Sequence, residues 1–107
     1  MTFNINGNMW IVRFVNINDN NLRRSDGSLA LGICDNNIKT IFIANNQTDY
    51  KTEHILCHEI THAICFEYGI LLPLDTEEWL CNFMSEHGKE IIYILDDLLY
   101  IITRKVA

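Results

Sequence analysis

Positive charge is scarce in this chain, and long hydrophobic runs are missing. Eight lysines and arginines stand against fourteen aspartates and glutamates, a formal net charge of −6, and the only basic clusters are Arg23-Arg24 and Arg104-Lys105. A nucleic-acid groove or a polybasic membrane patch needs clustered cations, so neither partner is expected. The longest apolar stretches are interrupted by charges well short of the roughly 20 residues that span a bilayer. Residues Met1 to Gly7 lack the basic start and apolar core of a signal peptide, and a soluble, cytoplasmic protein is expected. The four cysteines, Cys34, Cys57, Cys65 and Cys81, lack the tight spacing of a disulfide framework and read as reduced. Cys57 and Cys65 lie two helical turns apart and read as small core residues rather than metal ligands. Repeats, low-complexity tracts and linkers are also absent. With 107 residues, 49% of them hydrophobic, one core can form, and a single domain over residues 1–107 is expected.

In chain order, a polar start precedes Trp10 to Val15, a β-branched and aromatic run that reads as a strand. Asn16 to Gly27, rich in asparagine and closed by Asp26-Gly27, reads as a loop. Ser28 to Cys34 and Ile38 to Ala44 flank Asp35-Asn36-Asn37 and read as a β-hairpin, since asparagine tolerates the positive φ of tight turns. The first half is thus expected to form a three-stranded antiparallel sheet, with Lys39 and Thr40 guarding an edge. Thr48 or Asp49 can cap the helix that follows, and Gly69 is its expected stop. Ile70 to Leu74, with the one proline, Pro73, reads as a connector. Asp75 then caps a helix with Glu77 and Glu78 near its positive end. His87-Gly88 marks a possible pause before a further helical stretch, Glu90 to Ile102. The fold class is α+β, a small sheet followed by the motif helix and one or two C-terminal helices.

The chemistry concentrates at His58-Glu59-Ile60-Thr61-His62, inside the helical segment Thr52 to Tyr68. Positions four apart share a helix face, so His58 and His62 can lean toward one ion, about 2.0–2.1 Å from each ring nitrogen. Glu59 points roughly 100° away around the helix, unsuited as a ligand but able to reach a metal-activated water as general base. Against this stands the plain alternative that a histidine pair on an apolar helix is only a satisfied core pair.

An open catalytic zinc site needs one more protein ligand. A third histidine shortly after the motif is not available, because Cys65 and Tyr68 occupy the positions such sites require. Glu77 and Glu78 on the next helix are the remaining candidates. Glu78 is favoured, since Cys81 and Asn82 follow it at positions where a small residue and a polar group could support a ligating histidine. Either acid could instead serve only the helix start. His54, one turn before His58, lies roughly 12 Å along the axis from His62, too far for all three to share an ion, and reads as a rim or solvated residue. His87, Tyr93 and Tyr100 are the candidate donors to an oxyanion, with plain solvent exposure as the default for His87.

The run His58 to Ile64, followed by Glu77-Glu78-Trp79-Leu80-Cys81-Asn82-Phe83, resembles the small zincin metallopeptidases with a glutamate third ligand. Among these are the ImmA/IrrE-type proteins of mobile elements and short phage-encoded metallopeptidase-like proteins. The resemblance covers mainly Ile38 to Gly88. It implies a sheet packed on the motif helix, an edge strand near Ile38 to Ala44 able to pair with an extended peptide, and Zn2+ held by His58, His62 and Glu78 with Glu59 as base. It also implies a peptide or protein substrate, which in ImmA-like members is a phage or element repressor. The expected function is zinc-dependent peptide-bond hydrolysis; the alternative is a non-catalytic zinc-binding interaction module.

Overall fold

Asn6 and Gly7 both take positive φ, 50° and 82°, the pair of left-handed conformations that a two-residue hairpin turn demands. They join β1 (Thr2–Ile5) to β2 (Asn8–Val15) in an antiparallel pair that sets Phe3 opposite Trp10. The segment read as a polar start is therefore a strand. The computed structural model describes residues 1–106, the last two by their backbone alone. After a single 3-10 turn at Asn20–Leu22 come β3 (Gly32–Asp35) and β4 (Thr40–Ala44). The sheet has four strands in the order β1-β2-β4-β3, with β2 and β4 parallel and the other neighbours antiparallel.

The α+β class holds, while the all-antiparallel three-stranded sheet is corrected. The reason lies in β4, where Ile41, Phe42, Ile43 and Ala44 are apolar in succession and every residue of the strand is buried. A strand apolar on both faces belongs in the middle of a sheet. Ile41 and Ile43 join Trp10, Val12 and Ala63 on one face. Phe42 and Ala44 pack with Val15 and Leu22 on the other, where the 3-10 segment covers them. The expected edge near Ile38 to Ala44 is thus interior, and the edges are β1 and β3. Lys39 guards no edge. It ends the β3–β4 turn at φ 51°, the positive-φ position that the sequence assigned to an asparagine.

Helix α1 (Asp49–Glu67) lies on the first face through Ile55, Leu56, Ile60 and Ala63. The Thr48 hydroxyl accepts from the Lys51 amide at 3.2 Å and caps it. At its other end Gly69 (φ 63°) donates to Phe66 and Ile70 donates to Cys65, the paired bonds of a Schellman stop. Glu67 then ties the helix to the sheet by accepting from Asn8 Nδ2 (2.6 Å), Trp10 Nε1 (2.8 Å) and Lys39 Nζ (2.9 Å).

Helix α2 runs unbroken from Leu74 to Val106. Asp75 is not its cap: it lies within the first turn and accepts from the next residue's amide, while the Pro73 carbonyl accepts from Glu77. The pause expected at His87-Gly88 does not occur. Gly88 is buried where α2 passes α1, and a Cβ there would stand 3.8 Å from Cys57 Sγ. Glycine gives up about 1 kcal/mol of helix propensity at that position and allows the close passage in return. The two helices run side by side until Lys89 meets Glu53 near the start of α1. Beyond that point α2 projects alone, and the molecule measures 56 × 31 × 26 Å. No helix among the described residues is long and apolar enough to cross a membrane. All four cysteines are free thiols.

Candidate metal centre

The motif sits in the middle of α1, where helical phase gives each side chain a different neighbour. His58 and His62 share the face toward α2, their ring centroids 5.0 Å apart. Glu59 turns instead toward the sheet and is buried beneath β3. The floor above it is Gly32: a Cβ there would lie 3.2 Å from Glu59 Cγ and would overlap the Ile55 side chain. Only a residue without a side chain lets β3 come so near to α1 at this point.

Helix α2 supplies two carboxylates, and they do different things. The Glu78 carboxylate faces both imidazoles, with Oε1 2.7 Å from His62 Nε2 and Oε2 3.3 Å from His58 Nε2. Glu77 reaches the far side of one ring, its Oε2 2.7 Å from His62 Nδ1. A neutral imidazole carries one proton. If Nδ1–H donates to Glu77, the Nε2 contact with the Glu78 carboxylate is satisfied either by a second ring proton or by a cation bound by both groups. This donor set, two imidazoles and a carboxylate with a second carboxylate orienting one ring, suits zinc.

One further donor lies close by. Single ligand atoms of His58, His62 and Cys81 all fall within 4.8 Å of one another. Cys81 is fully buried, and burial first, then the neighbouring Glu78, push its thiol up to about 12. Sequence reasoning missed it as a donor. The signal was its position, three residues after Glu78 and so on the same helical face.

Burial governs the protonation of the centre. It draws His58 below the ordinary imidazole range, opposed by Glu78 and assisted by His62; a neutral ring is the form that binds a metal. Glu59 is pushed up to about 7, again first by burial, with His62 and Arg24 pulling the other way and Glu78 adding to the rise. Its Oε2 is buried without a hydrogen-bond partner. A carboxyl in that condition is poised to exchange a proton near neutrality.

No family model, curated protein or solved structure matches the chain.

His58, Glu59, His62, Glu77 and Glu78 line an open groove of about 800 Å³ between β3, α1 and the first turns of α2. His54 stands on its rim, packed on Tyr50 with ring centroids 4.2 Å apart. Asn82 also lines it, close enough to His58 to favour the protonated ring. His87 does not line the groove: its ring lies tilted against Phe83 along an exposed face of α2 and approaches Glu90 at 3.5 Å. Tyr93 and Tyr100 are exposed on the projecting part of the same helix and line no part of the groove either. Other side chains able to donate that line it are Arg24, Tyr50, Lys51 and Ser85. Arg24 comes from the loop after the 3-10 turn, distant in sequence from the motif, so spacing alone could not have found it.

Proposed function

We propose that this protein is a zinc-dependent peptidase of the zincin type, with His58, His62 and Glu78 as its metal ligands and Glu59 as general base. The observation that carries this reading is Glu59. A buried carboxyl with an unpartnered oxygen is costly to keep, and a metal that merely joined two helices would give no reason to place one beside the histidine pair. Zinc held by His58, His62 and Glu78 would supply Lewis acidity for a scissile carbonyl and its attacking water. Glu59 takes the proton of the attacking water and passes it to the leaving amine. Glu77 fixes the ring orientation of His62. The short edge strand β3, open on one side and bordering the groove, offers its backbone to an extended peptide. The substrate class is a peptide or protein, for which a repressor of a phage or mobile element is the first candidate to assay.

A second reading is favoured by Cys81. Were its thiolate to join the other three donors, the site would be closed and structural, and the protein a zinc-binding interaction module. Metal content measured by mass spectrometry for wild type, Glu78→Ala, Glu77→Ala and Glu59→Ala tests the first reading. One zinc per chain, lost in Glu78→Ala and kept in Glu59→Ala, supports it, as does cleavage abolished in Glu59→Gln with zinc retained. No zinc in wild type overturns both readings. Cobalt substitution separates them, because a thiolate ligand adds an intense near-ultraviolet charge-transfer band that Cys81→Ser would remove.

A further inference from the structure

The buried seam that α2 presents to α1 does not stop where α1 stops. Along α2 the residues turned to α1 are Glu77, Cys81, Met84 and Gly88, all wholly or partly buried. Their spacing of four, three and four continues without a slip into Ile91, Leu95, Leu98 and Ile102, where there is no α1 to cover them. Ile92 and Leu99 flank this extension on one side and Ile94 and Ile101 on the other, and each of the eight is about half exposed, Leu95 at 47% and Leu98 at 53%. A heptad seam with apolar flanks is the pattern of a helix buried against other helices.

From this we infer that the protein is a dimer in which the projecting halves of two α2 helices pair antiparallel, each taking up the other's seam where α1 leaves off. Three observations select a second copy as the occupant. The exposed area of those eight side chains is on the order of 700 Å² per chain, close to the ~800 Å² per partner that a standard stable interface buries. The seam is self-complementary in one register: Ile91 falls opposite Ile102 of the second copy and Leu95 opposite Leu98, so one patch meets itself across a two-fold axis. The polar face carries both signs, with Lys89, Glu90, Asp96, Asp97 and Arg104, so it lacks the cationic face of a helix that lies on an anionic membrane.

The charged residues of this stretch lie on the outward side of α2 in either arrangement and do not choose between them. Orientation follows from α1: the antiparallel pair gives the second copy's helix the direction that α1 already has along α2. This inference is independent of the metal centre.

Sedimentation equilibrium of the full chain, wild type beside the double variant Leu95→Asp/Leu98→Asp, tests it. Both positions lie beyond the end of α1, so the variant keeps the domain's fold, verified by near-ultraviolet circular dichroism. Twice the chain mass for wild type and a single chain mass for the folded variant is the expected result. Asp97→Asn, on the outward face, should remain dimeric. A monomeric wild type, an assembly larger than two, a variant that stays dimeric, or a monomer that binds zwitterionic vesicles through this face would each overturn the proposal.

Discussion

Gly32 offers a sharp quantitative test of how the site is built. Its φ is unexceptional, so alanine there meets no backbone strain; what it meets is α1. The new Cβ would overlap Ile55 Cγ2, stand 3.2 Å from Glu59 Cγ and touch Ile43 Cδ1 at 3.5 Å. Two of these neighbours belong to the helix that carries the motif, and Ile43 is fully buried, so relief requires β3 and α1 to separate. Overpacking of this kind costs about 1–3 kcal/mol, a fall in Tm of roughly 5–20 °C for a domain of this size. Gly69 supplies the contrast, with φ at 63° and nothing near its would-be Cβ; alanine there costs about 1 kcal/mol for backbone reasons alone. The two sites should therefore respond oppositely to asparagine. Gly69→Asn recovers most of the loss seen in Gly69→Ala, because asparagine tolerates the left-handed region. Gly32→Asn is worse than Gly32→Ala, because it is larger. Urea unfolding followed by circular dichroism measures all four, and repeating Gly32→Ala on an Ile55→Ala background measures the coupling. Equal losses from Gly32→Ala on both backgrounds, or a loss below about 0.5 kcal/mol, the usual scale of a neutral surface change, would refute the close passage of β3 over α1.

Two further outcomes follow from the centre itself. Glu77→Gln, which weakens the bond that orients His62 without touching Glu78, should lower zinc affinity by roughly 10–100-fold in a competition titration while leaving one metal per chain at saturation; an unchanged affinity would mean that Glu77 serves only the helix start. In the metal-free protein the contribution of Glu59 should fall as pH rises between 4.5 and about 7, while His58, held below its ordinary range, contributes in the opposite sense. Glu59 keeps its proton in the folded state across that window while the unfolded chain has given it up, a difference of about 3 kcal/mol that is present below the window and lost above it. Chelator-treated wild type should show this slope in thermal melts and Glu59→Gln should not; parallel curves would show that Glu59 is solvated in the native state. Glu67 acts in the opposite sense, since Lys39, Trp10 and Asn8 hold its carboxyl below the usual value, and its contribution fades as pH falls.

The metal motif was legible because its geometry is local. Four residues of helix fix His58 against His62 and turn Glu59 away from both, whatever the rest of the chain does. Choosing between Glu77 and Glu78 depended on the phase of α2 against α1, and that phase is set by a helix start at Leu74 and by the packing of Cys81 and Gly88, neither of which spacing reveals. Both acids turned out to face the histidines, one on each side of His62. The Asn6-Gly7 pair carried a strong hairpin signal, hidden by flanking residues too polar to look like strands. The parallel pairing of β2 with β4 had only an indirect sign, the unbroken apolar run Ile41 to Ala44, which speaks of burial on both faces but not of which neighbour covers each edge. Gly88 illustrates the converse difficulty: a residue that reads as a helix breaker in isolation is a contact point once the second helix is present.

The insertion of β4 between β2 and β3 also bears on how the sheet is closed. The β1–β2 hairpin is made of neighbours in sequence and closes as soon as its turn is made, leaving the inner side of β2 with its amides and carbonyls unpaired. Nothing between Asn16 and Lys39 fills that side, because β3 lies beyond the vacancy and not in it. The sheet is therefore completed only when the late strand threads into place and ties the first hairpin to the second, a non-local step that pays its loop-closure entropy before its contacts reward it. The motif helix packs on the face that this closure completes, so the setting of Glu59 beneath β3 depends on a strand pairing between segments distant in sequence.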